Sequence, residues 1–154
     1  MTNIVATVAW QRGADEAFTD KRFSRGHQWS FDGGLTVRAS SSPQVVPKFS
    51  DPAGIDPEEA FVASLSACHM LTFLWVAASK GFVVDSYRDE ASGAMTKNAQ
   101  GKYFVSSVTM KPHVVFAGAN QPDRAALEAM HHAAHQDCFI ANSVITEVRW
   151  EPVF

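Results

Sequence analysis

The chain has two cysteines, and both lie near histidines. Cys68 sits inside AFVASLSACHMLTFLW with His69 next to it, and Cys138 closes MHHAAHQDC three residues after His135. Three chemistries are open to such residues. A thiol in an apolar helix is a small core residue, with a raised pKa and little reactivity. His131, His135 and Cys138 fall at i, i+4 and i+7, so on a helix they share one face. With Cys68 or His69 as a fourth ligand they could hold zinc or a small molecule, although the chain has no Cys-x-x-Cys or His-Glu-x-x-His pattern. The third chemistry is redox. One thiolate attacks a peroxide and becomes a sulfenic acid, and a second thiol condenses with it to a disulfide. This needs a cation near the first sulfur, which could be His69 or an arginine brought in by a loop. It also needs the two Cα atoms within about 4.4–6.8 Å.

The elements that must position these residues can be read from turn and cap signals. Asp56-Pro57-Glu58-Glu59 opens a helix: Asp can cap, Pro suits the first helical position, and both Glu favour the positive end of the dipole. The helix should run to about Lys80 and stop at Gly81. On a 3.6-residue period Cys68 shares a stripe with Phe61, Leu65, Thr72 and Trp75. A second helix opens at Pro122-Asp123 and reaches about Gln136. Strands are expected at Ile4–Trp10, at His27–Phe31 and Leu35–Ala39 around an Asp32-Gly33-Gly34 turn, and in the final ITEVRWEPV. Two long alternating segments, Phe82–Met95 and Lys102–Phe116, form a second hairpin turning near Asn98–Gly101. Residues 11–26 are a polar loop with Arg12, Arg22 and Arg25, and 40–57 an extended connection rich in Pro and Ser. The order predicts one α+β domain over residues 1–154, with helices packed on antiparallel strands.

Composition narrows the function. A net charge of −3 with scattered Lys and Arg argues against a nucleic-acid partner. Two cysteines are too few for a disulfide scaffold in a chain of 154 residues. The N-terminal MTNIVATVAW has no secretory pattern, so a cytoplasmic location is expected. Ala60–Ser79 carries no formal charge and is long enough to cross a bilayer, but it holds Ser64, Ser66, Cys68, His69, Thr72 and Ser79. The central helix of a soluble fold is the expected reading, with no membrane partner.

The stretch DPEEAFVASLSACHM closely resembles the first-cysteine signature of the OsmC/Ohr family, the osmotically inducible and organic-hydroperoxide-resistance proteins, with Pro57 and Glu58 ahead of Cys68. AHQDCFIANSV resembles the second signature, RFSRGHQWSFDGG resembles the Ser-Arg-x-His segment of the OsmC branch, and GFVVDSYRDEASG fits the strand after the central helix. The resemblance runs through nearly the whole chain in order. It implies an OsmC-like α+β fold with antiparallel sheets and a long central helix, assembled as an intertwined homodimer with two sites at the subunit interface. It implies a thiol-dependent peroxidase that reduces organic hydroperoxides without cofactor or metal, recycled by a dithiol reductant, of the lipoyl type or another. Cys68 is then the peroxidatic residue, Cys138 the resolving one, Arg25 the cation beside the thiolate, and Glu58 the carboxylate that holds the arginine.

Physical chemistry is consistent with each role. An arginine stays charged at any working pH, and its fork can bond a carboxylate through two N–H groups. Arg12 and Arg22 share the loop with Arg25, which the Ser-Arg-x-His neighbourhood singles out. His27, His69 and His135 could tune the site or be ordinary hydrogen-bonded histidines. Phe61, Leu65, Phe73, Trp75 and Phe139 are core candidates, and some could line a pocket for the alkyl part of a bulky peroxide.

Overall fold

The structure, a computed structural model, describes residues 2–153, which fall into two compact units that divide between Ala60 and Phe61. In the first unit β1 (Ala6–Ala9), β2 (His27–Phe31) and β3 (Thr36–Ala39) form an antiparallel sheet in that order. Ala6 pairs with Phe31, and Trp29 with Val37. The hairpin turn lies where Asp32-Gly33-Gly34 predicts it, with Gly34 at a φ of 84° that glycine adopts without strain. The loop between β1 and β2 carries its own aromatic cluster. Phe18 stacks on Phe23 at 4.5 Å between ring centres, and Trp10 meets Phe23 edge-on at 5.5 Å.

Helix α1 spans Pro57–Ser79, as its end signals predict. Asp56 accepts the Glu59 N–H at 2.7 Å and Glu59 accepts the Asp56 N–H at 3.2 Å, so the start is a reciprocal capping box. At the other end Phe82 N–H donates to Ala77 O and Gly81 N–H to Ala78 O, each at 3.0 Å, with Gly81 at a φ of 77°. This is a Schellman stop, and the left-handed residue it needs is the glycine.

The second unit contains most of α1, strands β4 (Val83–Asp89), β5 (Ser92–Lys97), β6 (Tyr103–Met110), β7 (Pro112–Ala117) and β8 (Glu147–Trp150), and helix α2 (Arg124–Asp137). The second hairpin forms, but each of its long arms is broken. β4 pairs with β7, β5 pairs with β6, and both pairings are antiparallel. The break lies at Glu90–Ala91 in one arm and Lys111 in the other. Asp89 fastens the break to α1, accepting from the Ser66 hydroxyl and from the Lys111 N–H. The last strand departs from the antiparallel expectation: β8 pairs with β6 in parallel, Ser107 opposite Glu147 and Met110 opposite Trp150. A parallel neighbour needs a crossover, and α2 lies in the connection that supplies it.

The core is divided. One cluster joins Phe73, Val76 and Ala77 of α1 to Met130 and Ala134 of α2, over Val84 and Tyr87 of β4 and Val114 and Phe116 of β7. The other joins Leu65 of α1 to Val108 and Met110 of β6, with Ile140, Val148 and Trp150 around them. Between helix and strand the fit is close at Gly93 of β5, where a Cβ would stand 2.8 Å from Cγ2 of Val62.

The buried face of α1 is Leu65, His69, Phe73, Val76 and Ala77. The stripe expected around Cys68 is therefore rotated: Cys68 is half-buried at its edge and Trp75 is 69% exposed. By length and composition α1 could cross a membrane, and the described chain buries only part of it.

Candidate functional site

Cys68 lies midway along α1 and its carbonyl accepts the Thr72 hydroxyl at 2.9 Å. Cys138 caps the C-terminus of α2, so the residue expected on that helix face stands one step beyond it, in extended conformation. A short 3-10 turn, Ala141–Ser143, follows and pins it. Asn142 donates to Cys138 O through its backbone N–H at 3.0 Å and its side-chain amide at 3.1 Å. The Ala141 N–H points at the Cys138 sulfur at 3.4 Å.

Both cysteines are free of a disulfide, and Cys68 lies close enough to raise the pKa of Cys138. The Cys138 side chain is only 1% exposed. Its thiol is pushed up to about 11, first by burial and then by the adjacent Cys68, while the Ala141 N–H works in the opposite direction. Cys68 is the more accessible of the two. The two cysteines, seventy positions apart in sequence, are thus adjacent sulfurs with unequal surroundings.

The histidines are arranged differently from the i, i+4, i+7 face. His131 is buried and turned toward α1, where its Nδ1 meets Nε2 of His69 at 3.0 Å. The two ring planes are nearly parallel, at 7°, with 5.3 Å between their centres. Phe73 stacks on His131 at 4.3 Å, and Trp150 lies against His69 at 6.0 Å and against His135 at 4.9 Å. The outer nitrogens, Nδ1 of His69 and Nε2 of His131, are buried and have no hydrogen-bond partner among the described residues. Burial depresses both rings, His69 to about 3 with help from His131 and His135, and His131 to about 4. Both are therefore neutral at pH 7, and neither supplies the cation a thiolate needs. Among the described residues no three His, Cys, Asp or Glu side chains gather as a metal-ligand set.

The His69–His131 pair is the feature that cysteine-centred sequence reading missed. A signal for it was present. Leu65, His69, Phe73 and Val76 follow a helical period on α1, and Met130, His131 and Ala134 fall on the inward side of α2.

In the first unit Arg25 is half-buried and held tightly. Its guanidinium lies over the Phe23 ring, 3.6 Å from the centroid, and donates to Phe23 O and Lys21 O. Its backbone N–H donates to Phe49 O at 2.8 Å. Lys21 and Phe49 both have left-handed backbones, with φ of 64° and 71°, which costs about 1–2 kcal/mol for a residue with a Cβ. Two strained residues thus each present a carbonyl to Arg25. His27 adds a third anchor. Its Nε2 accepts the Trp29 indole N–H at 2.9 Å, so its proton is on Nδ1, which donates to Arg25 O at 2.8 Å. Arg12, by contrast, donates to Gly13 O and Glu16 O in its own loop. Glu58 is half-buried in the first turn of α1 and takes no part in the capping box. Among the described residues neither Arg25 nor Glu58 forms an ion pair.

The family model for OsmC-like proteins matches residues 50–152. An OsmC-like protein of unknown function from Vibrio cholerae is 52% identical, with 99% of this chain and 100% of that one covered and a TM-score of 0.97. The organic hydroperoxide resistance protein OhrB of Bacillus subtilis shares the fold at 18% identity, with 99% and 98% covered and a TM-score of 0.69. An organic hydroperoxide resistance protein OsmC from Legionella pneumophila is similar at 16% identity, with 100% and 98% covered and a TM-score of 0.68. No curated protein matches the chain.

Proposed function

The chain belongs to the OsmC-like protein family, and from that premise we propose that it is a thiol-dependent peroxidase acting on organic hydroperoxides. The observation that carries the reading is the pair of adjacent free thiols, one half-buried and one buried. Structural relatives named for organic hydroperoxide resistance support the substrate class.

The accessible Cys68 thiolate attacks the terminal peroxide oxygen. The O–O bond breaks, the alkoxide leaves with a proton as alcohol, and Cys68 becomes a sulfenic acid. The Cys138 sulfur then attacks the Cys68 sulfur and expels hydroxide, which leaves as water, and a Cys68–Cys138 disulfide forms. A dithiol reductant, of the lipoyl type or another, returns both thiols by exchange. We assign Arg25 as the cation that favours the thiolate and Glu58 as the carboxylate that orients it. The three anchors around Arg25 support a residue whose place matters.

The same reading makes the protein a cytoplasmic homodimer. Exposed apolar side chains support the assembly: Ile4, Val5 and Val8 in the first unit, Leu71 and Trp75 on α1.

The test is intact mass on reduced protein before and after one equivalent of cumene hydroperoxide. Loss of two hydrogens, with a Cys68–Cys138 cross-linked peptide, is expected. Cys138→Ser should gain one oxygen instead, and Cys68→Ser should not change. An unchanged mass in the native protein would sink the proposal.

A further inference from the structure

The His69–His131 pair lies on the seam between the two hydrophobic clusters. His131 is stacked on Phe73 of one cluster and His69 lies against Trp150 of the other. It is also next to the chemistry in sequence. His69 follows Cys68 on α1, and His131 is seven residues before Cys138 on α2. Apolar contacts alone would let the two helices slide, because they have no preferred direction. A 3.0 Å hydrogen bond between two nearly parallel rings has both a distance and an angle to keep.

We propose that the His69–His131 hydrogen bond is a positioning pair, which fixes α1 against α2 so that the Cys68 and Cys138 sulfurs can join. The proposal rests on Cys68 and Cys138 being the redox couple. A disulfide forms only when the Cα atoms are within about 4.4–6.8 Å. Slippage by one helical turn, about 5.4 Å, would exceed that tolerance. The bond needs one ring to donate and the other to accept, so it exists only between neutral rings or across a single shared proton. Their buried surroundings keep them neutral: burial is the largest influence on each, and His131 and His135 lower His69 further. In either tautomer one donor and one acceptor at the outer nitrogens go unused. Apolar side chains of the same shape would leave none, so the pair contributes direction rather than stability.

The test compares His69→Gln with His69→Leu. Glutamine can place a polar atom where Nε2 stands and keep the bond to His131, whereas leucine has similar volume and cannot. The quantity read is the effective concentration of the Cys68–Cys138 pair, from equilibration of the whole protein with reduced and oxidised dithiothreitol at pH 7. Thermal midpoints of the reduced proteins are read alongside. We expect His69→Leu to lower the effective concentration at least tenfold without lowering the midpoint, and His69→Gln to stay within threefold of the native protein. His131→Phe keeps a ring against Phe73 and loses the bond, so it should behave like His69→Leu if that variant does not fold. A folded bond-deleting variant with native effective concentration overturns the proposal. So does a loss that the glutamine variant shares. Because dithiothreitol replaces the peroxide, a protein that forms this disulfide but ignores cumene hydroperoxide would refute the peroxidase reading alone.

Discussion

Cys138 is a poor nucleophile as it stands. A thiol pushed up to about 11 is overwhelmingly protonated at pH 7, and only the thiolate attacks a sulfenic acid. The second chemical step should therefore accelerate as pH rises. Stopped-flow measurement of disulfide formation after a single peroxide pulse should show roughly a tenfold gain per pH unit between about 7 and 9. A flat profile would mean that resolution does not pass through a free Cys138 thiolate. At this scale the nearness of the two cysteines was legible in the sequence only as one of three open chemistries, with a short motif around each of them. The histidine pair was not legible. Spacing grouped His131 with His135 and Cys138, but spacing along one helix says nothing about what the facing helix offers, and α1 offered His69.

Among the elements, α1 was the most legible, since its ends are chemical: the Asp56–Glu59 box and the left-handed Gly81 act within a few residues. The broken hairpin was not. Its alternation continues through Glu90, Ala91 and Lys111, and the break is set by Asp89 reaching back to Ser66, a contact between elements. The parallel seat of β8 on β6 was hidden for the same reason. Gly93 exposes how closely helix and strand fit. A methyl there would meet Cγ2 of Val62 at 2.8 Å, on a stiff branched side chain that can turn away only at a cost. Gly93→Ala should destabilise the protein by about 1–3 kcal/mol in urea unfolding, as overpacking does. Trimming the opposing side chain with Val62→Ala should recover part of that loss in the double variant. If Gly93→Ala alone were neutral, α1 would not be held against β5 at this point.

Acid should weaken the whole molecule through its buried imidazoles. The folded state depresses His69 to about 3 and His131 to about 4, mainly by burial, whereas a histidine in the unfolded chain titrates near 6.5. A base with a depressed folded pKa binds its proton more readily when unfolded. Its titration therefore costs no stability above about 6.5 and costs progressively more as pH falls toward the folded value. Within that window each ring removes about 1.4 kcal/mol per pH unit, so the pair should cost up to about 3 kcal/mol per unit near pH 5. His135, lowered by burial and His132, acts in the same direction. The carboxylates with lowered values, half-buried Glu16 and Asp51 and exposed Glu90 and Glu147, exert their main effect at and below their ordinary values of 3.8 for Asp and 4.5 for Glu. The interval from pH 6.5 to 5 therefore isolates the histidines. Urea midpoints should fall steeply across it in the native protein and less steeply in His69→Gln, which has one proton fewer to bind on unfolding. Parallel slopes in the two proteins would mean that His69 is not held neutral by the fold, and that the seam between the two clusters is wetter than its burial indicates.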